Sequence, residues 1–432
     1  MRSTLILLVI GTLGFLTACG GNNGTPVGVP TPPPAGQNIQ PITVDGGPLG
    51  NYANGAFVNV QVCVPGSSTC QTIDHVLVDT GSFGLRLLAS QVTVSLPVVN
   101  DTSGNTLNNC IQFLDNSFLW GNVAEADIKI AGEVASATSV QLIATPPPPP
   151  TGYFIPPGCT GHNEDTQQTL GANGILGVGP EPFDCGTACD PVQNPGGTPP
   201  AIYYLCSASS GCSATFVSCG QICGDSAANA QMTNPVFNFT GDNNGVILEL
   251  AAVNSTAATV SGSLIFGIGT QSNNALGSAA VLLLDNSDNF TTVFSGQNLT
   301  GSFIDSGSNG LFFPNGIETG FPGGNIPICT TNTSFYCPAS LTPFSATNES
   351  GSTNSVVNFN VDNADNLFSQ NPTAFAFVNL AGPQGTGACS SSNTTACSFD
   401  WGLPFFYGRN VYTAIRGATE PTGVPAGPFF AY

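Results

Sequence analysis

Two stretches of this sequence decide its fold: Val76-Leu77-Val78-Asp79-Thr80-Gly81-Ser82-Phe83-Gly84-Leu85 and Ser302-Phe303-Ile304-Asp305-Ser306-Gly307-Ser308-Asn309-Gly310-Leu311. In both, an apolar segment with the character of a β-strand ends at an Asp. A small hydroxyl residue, a Gly and a Ser follow, and a Leu stands three residues after that Ser. The same pattern in two distant places indicates two related halves.

Each stretch has a matching segment further along the chain. Gly177, the last residue of Gly174-Ile175-Leu176-Gly177, follows the first Asp by 98 residues. Gly408, the last residue of Phe405-Phe406-Tyr407-Gly408, follows the second Asp by 103 residues. Matching segments at matching distances predict a duplicated architecture, in which the chain returns past the same place in each half.

Asp79 and Asp305 are the candidate catalytic residues, because an Asp at the end of an apolar strand is poorly solvated. Two such carboxyls that face each other cannot both ionise cheaply, so the pair shares one proton. The ionised partner can take a proton from a water while the protonated partner polarises a carbonyl. This is general acid–base attack on an amide without a covalent intermediate.

The neighbours of each Asp have the chemistry to support such a pair. The Gly that follows lets backbone N–H groups approach the carboxylate, and the Ser three places after the Asp can donate to its outer oxygen. The small hydroxyl residue can reach across to the other Asp loop and connect the two loops by hydrogen bonds. These supporting residues are Thr80, Gly81 and Ser82 in the first loop and Ser306, Gly307 and Ser308 in the second.

The sequence resembles the pepsin-like aspartic peptidases over nearly its whole mature length, and it is similar to a bacterial group of lipoproteins of unknown function. The segments that carry the resemblance are Gly55 to Leu87, Asn173 to Gly179, Gly262 to Gly267, Asp305 to Pro314 and Phe405 to Ile415. The resemblance implies an all-β, bilobal fold whose two lobes are related by a pseudo-twofold axis, with a cleft between them. It implies an extended peptide substrate with apolar residues near the scissile bond, and neither a cofactor nor a metal.

Two residues near the first Asp loop depart from that family's pattern. Cys110 to Ser117, with Gly121 after it, resembles the family's flap, but Phe113 stands at the position of its Tyr. A Phe can pack over a substrate but cannot donate a hydrogen bond. Arg86 could pair with a carboxylate near the cleft, although we expect it to be a solvated charge in an exposed turn.

Three other interpretations compete with the peptidase. The two aspartates could be turn residues of a β-sandwich, which would leave the repeat unexplained. A non-catalytic binding or inhibitory protein could use the same scaffold, and loss of either Asp would have favoured it, but both are present. A disulfide-rich structural surface protein would have no functional cleft.

Composition excludes several classes of function. The 432 residues include 25 acidic and 5 basic ones, so a net charge of -20 leaves nothing to neutralise phosphates, and we expect no nucleic-acid partner. Hydrophobic residues make up 41% of the chain, enough for a large core and too many for a disordered protein. Only two histidines occur, His75 and His162, which makes a Ser-His-Asp hydrolase and His-rich metal sites unlikely choices.

The N-terminus has the pattern of an export signal. Arg2 precedes an apolar run from Leu5 to Leu16, and Leu16-Thr17-Ala18-Cys19 resembles a lipobox, in which the signal is cut before a lipidated Cys. We therefore expect a signal peptide at 1–18, lipid on Cys19 and a flexible tether at 19–40. The protein would then be a monomer in the cell envelope, facing the periplasm or the exterior, that touches a membrane through its lipid only. The alternative is an ordinary signal peptide with an incidental Cys.

Export predicts disulfides for the other fourteen cysteines. Spacing predicts three local pairs, Cys63–Cys70, Cys329–Cys337 and Cys389–Cys397. The pairing of the remaining eight stays open, and a zinc knuckle is the less favoured reading of Cys185, Cys189, Cys219 and Cys223. Those eight are Cys110, Cys159, Cys185, Cys189, Cys206, Cys212, Cys219 and Cys223.

Alternating apolar residues predict an all-β body with few helices. We expect an N-terminal lobe at 41–190, a Cys-rich insertion and linker at 191–232 and a C-terminal lobe at 233–432. The Cys-rich stretch from Phe183 to Cys223 shows no strand period. Predicted strands lie at 58–64, 72–78, 128–130, 245–250, 263–267, 356–361 and 374–380.

Overall fold

The protein is all-β, as predicted, with 43% of its residues in strands and 8% in helices. The computed structural model describes residues 38–144, 155–207, 211–220, 229–316, 325–384, 389, 393 and 396–432. The predicted signal peptide, Cys19 and nearly all of the tether therefore lie outside the described residues. Within these ranges, every helix is too short or too polar to cross a membrane.

The described residues of the first half form eleven strands and one short helix. In the second strand Val58, Val60 and Val62 are buried and Asn59 is exposed, the alternation of a strand with one face on the core. The strands are β1 (Ile39–Asp45), β2 (Gly55–Cys63), β3 (Cys70–Asp79), β4 (Phe83–Leu88), β5 (Thr106–Gln112), β6 (Ser117–Ile130), β7 (Glu133–Ile143), β8 (His162–Asn163), β9 (Gly174–Val178), β10 (Tyr203–Ser207) and β11 (Gly211–Ala214), with α1 at Gln167–Leu170.

The described residues of the second half add fourteen strands and helix α2 (Ala364–Gln370). Single 3-10 turns lie at Ala89–Gln91, Gly186–Ala188, Pro235–Asn238 and Leu403–Phe405. The strands are β12 (Gly245–Leu250), β13 (Thr256–Ala257), β14 (Val260–Phe266), β15 (Val281–Leu283), β16 (Phe290–Phe294), β17 (Gln297–Ile304), β18 (Leu311–Phe313), β19 (Thr342–Ser350), β20 (Thr353–Val361), β21 (Ala376–Phe377), β22 (Ala381–Pro383), β23 (Asp400–Trp401), β24 (Asn410–Ala414) and β25 (Phe429–Ala431).

One large sheet joins the two halves of the chain. It has sixteen strands, and the junction is the antiparallel pairing of β1 with β14, in which Ile39 lies opposite Ile265 and Val44 opposite Val260. A second sheet of seven strands, in the order β20-β19-β16-β17-β23-β18-β22, belongs to the second half alone. The N-terminal strand thus pairs across the halves before the first Asp loop begins.

The core of the second half is aromatic. Phe399 stacks on Trp401 with ring centroids 3.9 Å apart, and on Phe313 at 5.0 Å. All three side chains are fully buried, and each contributes about 1.5–3 kcal/mol through the surface that it removes from water. Trp401 belongs to β23 and Phe313 to β18, so this layer is built from the strands that flank the second Asp loop.

The strand predictions hold unevenly along the chain. β12 spans the predicted 245–250, whereas only Ala376–Phe377 of the predicted 374–380 forms a strand, because its partner β13 is itself two residues long. The Cys-rich stretch, where we expected no strand, contains β10 and β11. Tyr203 and Tyr204 are both buried there, so the strand shows no alternation in the sequence.

Six disulfides join described residues. The three predicted pairings, Cys63–Cys70, Cys329–Cys337 and Cys389–Cys397, are confirmed. Three pairings that the sequence left open are Cys110–Cys159, Cys185–Cys189 and Cys206–Cys212. The bond between Cys185 and Cys189 leaves no thiolate there for zinc; Cys223 lies outside the described residues.

Candidate active site

The two Asp loops begin at equivalent places in two three-stranded units. β3 ends at Asp79, and β9 lies between β3 and β4, parallel to the first and antiparallel to the second. β17 ends one residue before Asp305, and β23 lies in the same way between β17 and β18. Each Asp therefore emerges beside a returning segment, which forms the middle strand of its unit, as the duplicated pattern predicted.

The returning segment of the second half is not the one that the sequence suggested. In the first half Asp79 lies opposite Gly177. In the second, Ile304 lies opposite Trp401, which puts Gly402 beside Asp305. A Cβ on Gly402 would lie 2.1 Å from the carbonyl oxygen of Gly310, so only glycine fits. The equivalent of Gly174–Gly177 is thus 399–402, and the predicted Phe405–Gly408 follows it as a turn.

The side chains of Asp79 and Asp305 lie close together, so that the charge and a hydrogen bond of Asp305 act on the pKa of Asp79. The glycines of the two loops make this approach possible: a Cβ on Gly81 would lie 2.7 Å from Cγ of Asp305, and a Cβ on Gly307 would lie 2.7 Å from Cγ of Asp79. Each loop therefore packs its glycine against the carboxyl of the other.

The two carboxyls receive the same pair of hydrogen-bond donors. The N–H of Gly81 donates to Oδ1 of Asp79 at 2.8 Å, and the N–H of Gly307 donates to Oδ1 of Asp305 at 2.7 Å. Oδ2 of each Asp accepts from a hydroxyl three residues on, from Ser82 at 2.5 Å in the first loop and from Ser308 at 2.8 Å in the second. All four donors come from the predicted supporting residues.

Thr80 and Ser306 connect the loops. The N–H of Thr80 donates to Oγ of Ser306 at 3.1 Å, and the N–H of Ser306 donates to Oγ1 of Thr80 at 2.9 Å. Each hydroxyl also donates to a carbonyl of the opposite strand, Thr80 to Ile304 at 3.0 Å and Ser306 to Val78 at 2.8 Å. The separation of the two aspartates is therefore fixed by four buried bonds.

Burial and charge hold a proton at the pair. Asp79 is 2% exposed, and burial, followed by the charge and hydrogen bond of Asp305, raises the pKa of Asp79 well above its usual range. The bonds from Ser82 and Gly81 act in the opposite sense. Asp305 is half-buried. The pair can thus carry a neutral acid and a carboxylate together, the two states needed for general acid–base chemistry.

Asp400, which the sequence analysis did not single out, is a third carboxyl at the site. Its Oδ2 accepts a 2.6 Å hydrogen bond from Oγ of Ser308, the same hydroxyl that serves Asp305. Burial, and then the charge of Asp305, raises the pKa of Asp400 well above its usual range. Its one signal in the sequence is a lone acid between two aromatic residues, Phe399 and Trp401.

The charges of the pair act on Tyr52, and so does the charge of Glu164; the sequence analysis named neither Tyr52 nor Glu164. Tyr52 is 4% exposed, and its pKa is raised by burial and then by the charges of Glu164, Asp305 and Asp79. Burial also raises the pKa of Glu164 to about 7. Oε2 of Glu164 is buried and has no hydrogen-bond partner among the described residues. The first half thus brings a further buried carboxyl near the site.

The predicted flap is the hairpin of β5 and β6, with Phe113 at its tip. The N–H of Phe113 donates to the carbonyl of Ser117, which closes the turn. Phe113 packs against an apolar cluster that includes Tyr52. Residues 159–164 brace one edge of this hairpin through the Cys110–Cys159 disulfide and the pairing of β8 with β6.

Arg86 is not the solvated charge that we expected. Its side chain is fully buried and donates to Asp184 at 3.2 Å and, at 2.6 Å each, to Asn109 and Gln141. Tyr203 of β10 donates to the same Asp184 at 2.5 Å. The sequence could not show this, because these partners come from four separate segments.

Other features of the described residues carry less chemistry. Cys329, Cys337 and Asp365 lie within 4.8 Å of one another, but their two sulfurs form a disulfide and offer no thiolate to a metal. A surface depression of about 560 Å³ is lined by residues such as Leu49, Ile143 and Thr166, and the paired aspartates are not in its lining. The candidate site is therefore identified from its carboxyls.

Fold and site together define an all-β protein built around a pair of carboxyl groups, one buried and one half-buried. The chain belongs to the DUF3443 family, described as proteins of unknown function, and the match covers residues 34–432. A comparison with curated proteins finds no match.

Proposed function

We propose that the protein is an aspartic endopeptidase on a bilobal, pepsin-like scaffold, with Asp79 and Asp305 as its catalytic pair. The observation that carries the proposal is the contact between these two carboxyls, each with one backbone and one hydroxyl donor in the same arrangement. Turn aspartates of an ordinary sandwich would have no reason to meet in this way.

The chemistry follows from the proton that the pair shares. A water held between the carboxyls loses a proton to the ionised Asp while it attacks a peptide carbonyl, and the protonated Asp donates to the carbonyl oxygen. The proton taken from the water then passes to the leaving amine as the C–N bond breaks, and the other Asp recovers its proton from a hydroxyl of the tetrahedral intermediate as the new carboxyl group forms. No covalent enzyme intermediate forms, and no cofactor takes part.

The repeated strand arrangement supports the pseudo-twofold relation of the two lobes, at 41–190 and 233–432. Units β3-β9-β4 and β17-β23-β18 have the same order and the same parallel and antiparallel pairings. On this scaffold the cleft would lie between the lobes, along the line where the two Asp loops meet.

The flap side of the site supports a peptide substrate with apolar residues near the scissile bond. Phe113 and Ile111 pack against a buried apolar cluster, and Leu114 at the hairpin tip is 84% exposed. An extended peptide that lies under this hairpin can bury apolar side chains there. Phe113 supplies contact area but no hydroxyl, in contrast to the Tyr of the family that the sequence resembles.

Export to the cell envelope is part of the proposal. Six disulfides among the described residues favour an oxidising compartment. We propose that the signal at 1–18 is removed, that Cys19 carries the lipid and that the monomer meets the membrane only through that lipid. Mass spectrometry of the mature N-terminal peptide tests this, since cleavage elsewhere with an unmodified Cys19 would leave a soluble secreted protein.

The proposed activity is tested with the folded, processed protein and a reduced, denatured protein as substrate, from about pH 3 to 8. We expect internal cleavage with an acidic optimum, because acid keeps one carboxyl of the pair protonated, and the sites mapped by mass spectrometry should be flanked by apolar residues. A folded sample that cleaves nothing at any pH would favour the non-catalytic binding scaffold.

A further inference from the structure

The two carboxyls of the pair have the same donors but differ in one neighbour. In the first half Ile175 occupies β9 opposite Leu77, whereas in the second half Asp400 occupies β23 opposite Phe303. These positions are equivalent in the two three-stranded units. At this position the unit of Asp79 has an apolar side chain, Ile175, and the unit of Asp305 has a third carboxyl, Asp400. The two halves of the site therefore differ here.

The hydroxyl of Ser308 lies between Asp305 and Asp400. Its Oγ is 2.8 Å from Oδ2 of Asp305 and 2.6 Å from Oδ2 of Asp400, both within hydrogen-bond distance. A serine hydroxyl has a single proton and can donate only one of these bonds. The second bond therefore needs a proton on one of the two carboxyls, which must donate to Oγ.

The surroundings favour that proton on Asp400. Asp305 is half-buried and also accepts the N–H of Gly307 at 2.7 Å, so it has two donors to stabilise a negative charge. Asp400 is 8% exposed, and its Oδ1 is buried with no hydrogen-bond partner among the described residues. A charge on Asp400 would be desolvated with one donor at most, which is far costlier.

No nearby cation offsets this cost within the described chain. The groups that act on Asp400 from the neighbouring strand ends are Asp305 and Asp79, both acidic. Of the described arginines, Arg86 donates to Asp184, Arg409 to the carbonyl of Phe405, and Arg416 to Glu181 and Asp288. Lys129 lies twelve residues along β6 from Ser117, the first residue of that strand.

We propose that Asp400 is a positioning residue that stays protonated at the working pH and, through Ser308, directs a hydrogen bond onto Asp305, so that Asp305 is the ionised member of the pair. The chain of donors runs from Asp400 to Oγ of Ser308 and from Ser308 to Oδ2 of Asp305. Asp79 then holds the proton that the pair shares. This inference rests on the proposed function, which it deepens by assigning the base and the acid.

Two substitutions of Asp400 distinguish its role as a hydrogen-bond donor from the effect of a negative charge on it. Asp400→Asn keeps an N–H that can donate to Ser308 and cannot ionise, whereas Asp400→Ile introduces the residue found at the equivalent position of the first half. The acid limb of the kcat/KM profile reports ionisation of the base. We expect Asp400→Asn to leave this limb in place, and Asp400→Ile to move it up by about 0.5–1 pH unit, because a weakened bond stabilises the Asp305 carboxylate less.

The same two changes in a Ser308→Ala background control for altered packing. Without the bridging hydroxyl, Asp400→Asn and Asp400→Ile should give the same acid limb. If the acid limb of Asp400→Asn lies about one pH unit or more below that of the wild type, the substitution has removed a negative charge from Asp400. That result would overturn the proposal. An acid limb in Asp400→Ile that matches the wild type would also overturn it.

Carboxyl titration by NMR of protein labelled with ¹³C-Asp needs no turnover. The resonance that disappears in Asp400→Asn should keep the shift of a protonated acid throughout the pH range of activity. An ionised Asp400 would overturn the inference even if the enzyme is active. If the wild type cleaves nothing, the proposed function fails, and the titration still decides whether Asp400 carries the proton.

Discussion

Thr80 and Ser306 each accept the backbone N–H of the other, at 2.9 and 3.1 Å, although they lie 226 residues apart in the sequence. Both side chains are buried. This reciprocal pair connects the two Asp loops, so it governs how far apart the two carboxyls stand.

Thr80→Val should therefore destabilise the protein by about 2–4 kcal/mol, because it leaves the N–H of Ser306 and the carbonyl of Ile304 buried without a partner. Chemical denaturation measures this loss of stability. Adding Ser306→Ala to the Thr80→Val protein should destabilise it by less than Ser306→Ala destabilises the wild type. Thr300→Val, the same change at an exposed position of β17, should cost less than about 0.5 kcal/mol. Equal effects of the two valines would contradict the role of the cross-loop bonds.

The glycines of the loops give a second prediction. A Cβ at Gly81 or Gly307 would lie 2.7 Å from the opposite carboxyl carbon and force the pair apart. Gly81→Ala and Gly307→Ala should lower kcat/KM by about 100-fold, the usual effect of moving a catalytic group by about 1 Å. Gly241→Ala is the matched control, since nothing lies within 4 Å of its added Cβ. Full activity in either loop variant would mean that the contact is not needed.

The raised pKa of Glu164 predicts how the free energy of unfolding depends on pH. Its pKa is about 7 in the folded protein against an ordinary 4.5, so the folded state holds this proton after the unfolded state has lost it. Stability should fall as pH rises from about 4.5 to about 7, by about 3 kcal/mol at full ionisation.

Glu164→Gln removes this titration. The variant should match the wild type near pH 4 and melt a few degrees higher near pH 8, as measured by calorimetry. Glu349→Gln, at a half-buried position of β19, provides the same chemical change elsewhere. A variant that is less stable than the wild type near pH 8 would show that the Glu164 carboxylate has a favourable partner.

Local pattern was enough to predict several of the strands and both Asp loops. The alternation in β2 and the run of β12 are local properties of the chain, and so is the spacing from Asp79 to Ser82. The returning segment of the second half was misassigned because 405–408 also ends in a Gly after apolar residues. It follows Asp305 at nearly the distance at which Gly177 follows Asp79. The strand that pairs with β17 is chosen instead by a ladder that joins Phe303 to Asp400, which no local pattern reports.

The sequence did not show which polar and charged residues are buried. Arg86 and Asp400 each look like surface charges when only their neighbours in the sequence are considered. Both are buried because partners from distant segments surround them, Asp184 and Asn109 in one case and Ser308 in the other. Burial of a charge depends on such long-range contacts, and for that reason the sequence led us to expect Arg86 in an exposed turn.

The catalytic role of the pair is tested most directly by kcat/KM for one mapped peptide bond at acidic pH. Asp79→Asn and Asp305→Asn keep the size of the side chain and remove the ability to exchange a proton. Asp74→Asn makes the same change at an exposed carboxyl of β3, five residues before Asp79. We predict that each of the first two variants loses at least about 100-fold in kcat/KM while it remains folded, and that Asp74→Asn stays near the wild type. Cleavage at the wild-type rate in either Asp79→Asn or Asp305→Asn would contradict the account.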